Sequence, residues 1–507
     1  MKKIKYLCVL ITIIAIAFLS STCGGGTNVK LWDGQIEELI SVGNSTYEIH
    51  TAGQLAALAK QTSFPAGNTY ILKADIDLNS HDWKPIGNIS SPFNGTFDGN
   101  GFLIKGLAIP ENSFSGLFGC IEGTDKRKSI IKNIKLELTY NKINGYIVIS
   151  VGALAGRAKH AKISNISVSG AEINLNIKSI LKSNDFELYV GGIAGILDYA
   201  DISNSSTIIN ITAKSSTIAV NVGGIVGNNN INSGTTTITA CYSTGKITAI
   251  TDSHNAAAAG ISSISCGKIN SCYSIGDISA TSKSFNATAG GITALSCDTI
   301  VSSYSTSNVT VNAFNLGIAG GVTGMNLGTT TSSYASGNVT VTSLKGPITA
   351  GGIAGISQNT IAKCYATGNV NGKSPANAVS VGGIVGAVVK GTLENCVALN
   401  NKIIATGITN SSVATPVANA VESSVYNNIA SIDISLSQNG TPPEQALRSM
   451  ITGTSVKPSS LTQAVYTRTG IITVDSKGNI INGGLGWDSN TWDFPENKLP
   501  KLKWQSK

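Results

Sequence analysis

A block of about thirty residues recurs through the middle of the chain. GGITALSCDTIVSSYSTSNVTV begins at Gly290, GGVTGMNLGTTTSSYASGNVTV at Gly320 and GGIAGISQNTIAKCYATGNVNG at Gly351. Aligned on the second small residue of each G-G-[IV] group, the units fall at Gly116, Ala153, Gly192, Gly224, Gly260, Gly291, Gly321, Gly352 and Gly383. The early intervals are 37, 39, 32 and 36 residues, and the later ones settle at 31, 30, 31 and 31. Self-similarity at such a period signals a solenoid, a propeller or another repeat array.

The content of a unit chooses among these. In the Gly352 unit, GGIAGI, TIAKCY and NVNG read as three short strands punctuated by Gly and Asn. Helix-length amphipathic patterns are missing from the units, which excludes helical repeats. A propeller blade needs four strands in roughly 40–45 residues, more than a 31-residue unit supplies. The expected fold is therefore all-β: a parallel β-helix of about ten coils, right-handed by the crossover rule, on the order of 50 Å long.

Composition agrees with coil stacking. Charged residues make up 13% of the 507 and aromatics 6%, while glycine supplies 56. Ile225, Ile261, Ile292, Val322, Ile353 and Ile384 recur at one coil position, and Ile247, Ile278, Val309, Val339 and Val370 at another. Like apolar side chains stacked at the strand spacing bury area efficiently, whereas like charges would repel. The glycines are expected at corners, with positive φ.

Both ends of a solenoid need covering, and here the ends differ from the middle. All five tryptophans (Trp32, Trp83, Trp487, Trp492 and Trp504) lie outside the repeats. Thr51 and Gln54 have capping-box spacing and open a helix, TAGQLAALAKQ. TYILKADIDL and FNGTFDGNGFLIKGLAI read as strands of the first coils, and GTPPEQALRSM as a short helix. The final aromatic segment, GLGWDSNTWDFPENKLPKLKW, is expected to close the far end.

The N-terminus reads as a secretory signal: Lys2, Lys3 and Lys5, then the 14-residue apolar run Tyr6–Leu19, then SSTC. Leu19-Ser20-Ser21-Thr22-Cys23 resembles a bacterial lipobox, which implies cleavage before Cys23 and lipidation of that cysteine. The expected organisation is a signal over 1–22, a tether over 23–45 and an N-terminal cap with first coils over 46–110. Repeats follow over 111–400, then irregular last coils over 401–440 and a C-terminal cap over 441–507. Removing residues 1–22 lowers the formal charge from +8 to +5. Arg127, Arg157, Arg448 and Arg468 are scattered, so nucleic acid is not an expected partner.

The unit G-G-[IV]-x-G … C-Y-x-T-G-x-[VI] resembles the GLUG motif of bacterial surface and adhesin-like proteins, also found in the non-catalytic region of some immunoglobulin A metallopeptidases. The flanks AGQLAAL…YILKADIDLN…FNGTFDGNGFLIKGL and NTWDF…KLPKLKW resemble what borders these repeats. The resemblance spans roughly residues 46–507. It implies a β-helical surface or secreted protein involved in adhesion, without naming a ligand. The expected location is the cell envelope, at the outer membrane or cell surface through a lipid anchor, with secretion as the alternative.

Catalytic groups are sparse. His50, His81, His160 and His254 are far apart and none opens H-E-x-x-H, so a peptidase role fails. Asp75, Asp77, Asp82 and Asp98 form the densest acidic group, read as turn-formers rather than a catalytic or calcium site. A carbohydrate-active enzyme with its site on those coils is the alternative, and a plain structural spacer the third reading. No catalytic residue, metal or cofactor is expected.

One constellation stands out. Tyr242, Tyr273, Tyr304, Tyr334 and Tyr365 share a coil position, each preceded by Cys or Ser: Cys241, Cys272, Ser303, Ser333 and Cys364. Alternation along a strand sends one column inward and the other outward. With the small residues inside, the tyrosines form an outward ladder able to stack on sugar rings, for a glycan or a host or matrix surface. The structural alternative places the rings under a loop. Seven cysteines remain once Cys8 and Cys23 are set aside, an odd number, and Cys266 and Cys297 are expected as free buried thiols. A Cys23→Ala chain should lose metabolically incorporated fatty acid and leave the membrane fraction, as read by labelling and fractionation.

Overall fold

The computed structural model describes residues 29–507, apart from 140, 145–147, 179–186, 230–235, 409–411, 421–422, 442–452, 497 and 507. The signal, Cys23 and most of the GTPPEQALRSM segment lie outside the described residues. The chain winds into a parallel β-solenoid of about 11 turns. Three faces are 10-stranded parallel sheets, and the fourth is a 25-stranded sheet to which two early coils give the 10-residue strands Ser129–Leu138 and Ala161–Gly170 and the later coils two very short strands each.

The coil through Gly352 shows the outline. Ile348–Gly351, Ala354–Ser357, the pair Ile361–Ala362 and Tyr365–Ala366, and Val370–Lys373 each lie on a different sheet. The expected three strands per unit thus become five, for two reasons. GGIAGI is broken by a bend at Gly352-Ile353, and TIAKCY by a bend at Lys363. Registers match residue for residue across coils: Val309 pairs with Val339 and Val339 with Val370. The stacked Ile and Val columns are buried, Ile225 and Ile353 completely. Each such side chain contributes about 1.5–3 kcal/mol relative to exposure.

The two bends use different devices, and this corrects the expectation that glycines take positive φ at the corners. Neither Gly351 nor Gly352 has a positive φ. What demands glycine there is space: a Cβ on Gly351 would strike the carbonyl oxygen of Ala354, and one on Gly352 that of Gly383 in the next coil. The left-handed bend is made instead by non-glycine residues. Asn133, Asn165, Asn204, Ala240, Ser271, Ser302, Ser332, Lys363, Asn395 and Asn427 all have φ between 48 and 57°.

Ile134 and Ile166 follow the first two of these positions, but from Asn204 onward the next residue is Ser, Cys or Asn, which explains the Cys/Ser column. Cys241 Sγ donates to Thr239 O, Cys272 Sγ to Asn270 O and Cys364 Sγ to Ala362 O, at 3.2–3.3 Å. Ser303 and Ser333 donate their hydroxyls equivalently at 2.9 and 2.8 Å. Serine also reaches the preceding coil: Cys272 N donates to Ser303 Oγ and Ser303 N to Ser333 Oγ, both at 3.2 Å. These side chains replace main-chain bonds that the bend removes from the ladder.

Charge follows the same stacking rule where it does occur. Glu122, Lys159 and Asp198 are register partners in successive coils, alternating in sign, with Lys159 2.8 Å from Glu122. Asp77 pairs with Lys105 and Asp98 with Lys132 across adjacent strands, at 3.1 and 3.0 Å. At the N-terminal end, the helix Ala52–Lys60 is capped by Thr51, whose side chain accepts from Gln54 N. It sends Leu55 and Leu58 into the core.

Replacing Gly351 with alanine should lower the thermal midpoint, reflecting about 1–3 kcal/mol of overpacking. Lys363→Gly should instead be neutral or slightly stabilising. Relief of about 1–2 kcal/mol of left-handed strain offsets glycine's entropy, about 0.5–1 kcal/mol.

Candidate functional site

The tyrosine column stands on the outer face of the 25-stranded sheet, between two inward columns. Cys241, Cys272, Ser303, Ser333 and Cys364 on one side are fully buried, as are Ser243, Ser274 and Ser305 on the other within 1%. In-register pairing sets one ring over the next. Centroid separations are 4.8, 5.0, 4.9 and 4.7 Å from Tyr242 to Tyr365, with interplanar angles of 8, 4, 4 and 3°. The strand spacing alone fixes these rings in a parallel stack.

The C-terminal segment does not close the far end in the expected manner. It folds back along the side of the solenoid and covers much of the ladder. Trp487 and Trp492 pack on Tyr365 at 6.2 and 5.9 Å, and Trp504 packs on Tyr304 and Tyr273 at 5.6 and 6.0 Å. With Val397, Ile429, Val456, Tyr466 and Leu485 they form a second hydrophobic core outside the first. Of the five tyrosines expected to face a ligand, Tyr334 and Tyr365 are only 8% and 4% exposed. The reason is physical: an outward strip of contiguous rings is a large apolar patch, and the chain's own tryptophans bury it.

Polar contacts fix this cover in register. Tyr365 Oη donates to Pro500 O and Gln505 Nε2 to Tyr334 Oη, both at 2.8 Å. Trp504 Nε1 donates to Ser302 O at 2.8 Å and Trp487 Nε1 to Asn395 O at 2.9 Å. Ser302 and Asn395 are left-handed corner residues, so the indoles satisfy carbonyls that the bend turns outward. Burial pushes the Tyr304 and Tyr334 hydroxyls up to about 12, with neighbouring Tyr334 adding to the effect on Tyr304. Tyr365 is likewise raised, first by burial and then by Tyr334 and Tyr466.

Among the described residues, no ring stacks on the ladder at its N-terminal end. Tyr242 is half-buried, with one ring face on Tyr273. Its register partner in the preceding coil is Ser206, and before that Ser167. Two small residues thus stand where the next rings would be, with exposed Ile208 nearby in the chain. At the other end, a cleft of about 760 Å³ lies within the C-terminal cover, lined by Leu461, Tyr466, Phe494 and neighbouring polar residues, with Leu399 from the solenoid.

The other expected residues are held in local structure. Asp75 Oδ1 accepts from Leu103 N, Asp77 Oδ1 from Asn79 N, and Asp98 Oδ1 from Asn100 N. The histidines are dispersed: His81 packs on Trp32, His160 on Tyr199 and His254 on Phe285. Among the described residues no group of His, Cys, Asp or Glu has the arrangement of a metal site. Cys266 and Cys297, expected as free buried thiols, are instead joined as a disulfide, their Cα atoms 4.4 Å apart. They follow the in-register residues Ser265 and Ser296, and Cys297 is exposed. Cys120, Cys241, Cys272, Cys364 and Cys396 are free and buried. A cover over the rings is the structural alternative given by the sequence; that the C-terminal segment supplies it is not, although the tryptophans confined to the ends are its visible sign.

No family model matches the chain. A protein of Evansella cellulosilytica named "Putative Gly-rich membrane protein" is 28% identical over 188 residues, covering 33% of this chain. The match spans 19% of that relative's length. A crystal structure described as a "putative immunoglobulin A1 protease" from Bacteroides ovatus is 17% identical, covering 90% of this chain and 92% of its own. Its TM-score is 0.31. Among the described residues, no helix is long and apolar enough to cross a membrane.

Tyr334→Ala should remove about 3–5 kcal/mol of packing from the second core. Limited proteolysis would then release the C-terminal segment while the solenoid resists. Alkali should have a related effect. The folded state favours neutral Tyr304 and Tyr334, so their stabilisation is intact below the ordinary tyrosine pKa of about 10. It is lost as pH rises towards about 12, where tyrosinate absorbance and release of the segment should appear together.

Proposed function

We propose that the chain is a surface-associated binding scaffold of the bacterial cell envelope: a lipoprotein anchored through Cys23, of the GLUG-repeat type, acting as an adhesin for a glycan or a host or matrix surface. The observation that carries the binding role is the N-terminal end of the tyrosine ladder. Among the described residues no ring covers the second face of Tyr242, which ends a five-ring stack next to the small residues Ser206 and Ser167. A flat ring with apolar C–H bonds, such as a sugar, could continue that stack at the same spacing.

Support also comes from the chain's chemistry. A rod with little charge and acids engaged in turns and ion pairs suits presentation more than turnover. The Gly-rich relative carries a membrane protein's name, which agrees with an envelope location. The lipobox-like Leu19–Cys23 stretch supplies the anchor.

The test is adhesion of the mature chain to glycan arrays, matrix proteins and host cells. Tyr242→Ala should weaken binding several-fold, because a base-like stack of this kind contributes about 0.5–1.5 kcal/mol. The thermal midpoint should hardly move, since Tyr242 lies outside the covered part of the ladder. Binding that is unchanged in this variant would overturn the reading.

A further inference from the structure

The cleft beside the covered end of the ladder has the build of a second, separate site. One wall is the turn Pro458–Ser460 with the helix Gln463–Thr467, and the other is made by residues 494–496 and 498–500, between the paired strands Trp492–Asp493 and Lys501–Leu502. Leu399 comes from the solenoid itself. Its volume of about 760 Å³ falls among small-ligand sites, which run roughly 300–1,000 Å³.

Inside, Tyr466 and Phe494 stack at 5.5 Å with an interplanar angle of 26°. Trp487 lies behind Tyr466 at 4.9 Å, so the aromatic floor is continuous with the second core and held by it. Phe494 remains half-buried. Around these rings the rim carries Ser459, Thr462, Gln463, Glu496 and Lys498, all exposed. Hydroxyls and an amide both donate and accept, the carboxylate accepts and the ammonium donates. The two rim charges are of opposite sign, so the rim favours no ionic ligand.

We propose that this cleft binds the end of an uncharged glycan, whose apolar C–H face lies on Phe494 while its hydroxyls meet Gln463 and its neighbours. A saccharide ring joins those two characters in one flat body, as the cleft does in its lining. A peptide side chain would suit a drier socket than this one. The choice of ligand class rests on the binding role proposed above, but the cleft shares no residue with the Tyr242 end.

The experiment uses the full mature chain and a panel of neutral oligosaccharides built from glucose, galactose and N-acetylglucosamine. Binding is followed by intrinsic tryptophan emission, because Trp487 lies behind the cleft. A panel member should bind the wild type, and Phe494→Ala and Gln463→Ala should each weaken it by roughly tenfold. Tyr242→Ala should leave this binding unchanged. Gln463 is exposed, so its variant should unfold at the wild-type temperature, which separates lost contact from lost structure. Retained affinity in both cleft variants overturns the inference, as does loss in Tyr242→Ala alone; either leaves the wider binding role standing. Failure of the wild type to bind any panel member also overturns it, and the adhesion assay then decides the wider role by itself.

Discussion

The molecule depends on one constraint: every coil must repeat the outline of the coil beneath it, so that main-chain groups pair across their whole length. Parallel pairing in register turns each sequence position into a column. A column of Ile and Val becomes core, a column of alternating charge becomes a set of ion pairs, and a column of tyrosine becomes a ring stack. The shortage of charge follows from this, because a like-charged column could not form.

Corners are where such a ladder is hardest to keep. The solenoid solves them twice per coil by different means. At most G-G bends a Cβ would strike a nearby carbonyl oxygen, so space favours glycine there, although Ala259 and Ala153 occupy the equivalent positions in two coils. At the second bend Asn, Ser, Ala and Lys accept left-handed φ, and the following Cys, Ser or Asn repairs the hydrogen bonding. Cysteine therefore recurs here as a small, weak donor within the corner. Its thiol is inert by burial, which pushes Cys241 and Cys396 well above the usual range.

The tyrosine strip shows how stacking creates a liability that the chain then manages. Five parallel, stacked rings on an outer face would make an apolar stripe, and the tryptophan-rich C-terminal segment buries most of it. Two indole N–H groups seek out corner carbonyls, so the cover reads the solenoid's bends as much as its rings. The half-open Tyr242 end and the cleft by Phe494 are what this cover leaves accessible.

Periodicity determined the architecture by itself, because a 31-residue interval with Ile and Val in fixed places can bury its apolar column only by stacking. The N-terminal helix was legible through Thr51 and Gln54, whose capping acts within four residues. The inward and outward assignment of the Cys and Tyr columns was legible too, since alternation is a local property of a strand. Tertiary structure alone decided the rest. Whether a G-G pair serves φ or space depends on a carbonyl supplied by the neighbouring turn. Whether Cys266 meets Cys297 depends on where two outward corners fall. Whether Tyr365 faces solvent depends on Pro500, 135 residues away in the chain. Sequence spacing carries no record of that contact, because the return path of the final segment is set by the apolar surface it finds.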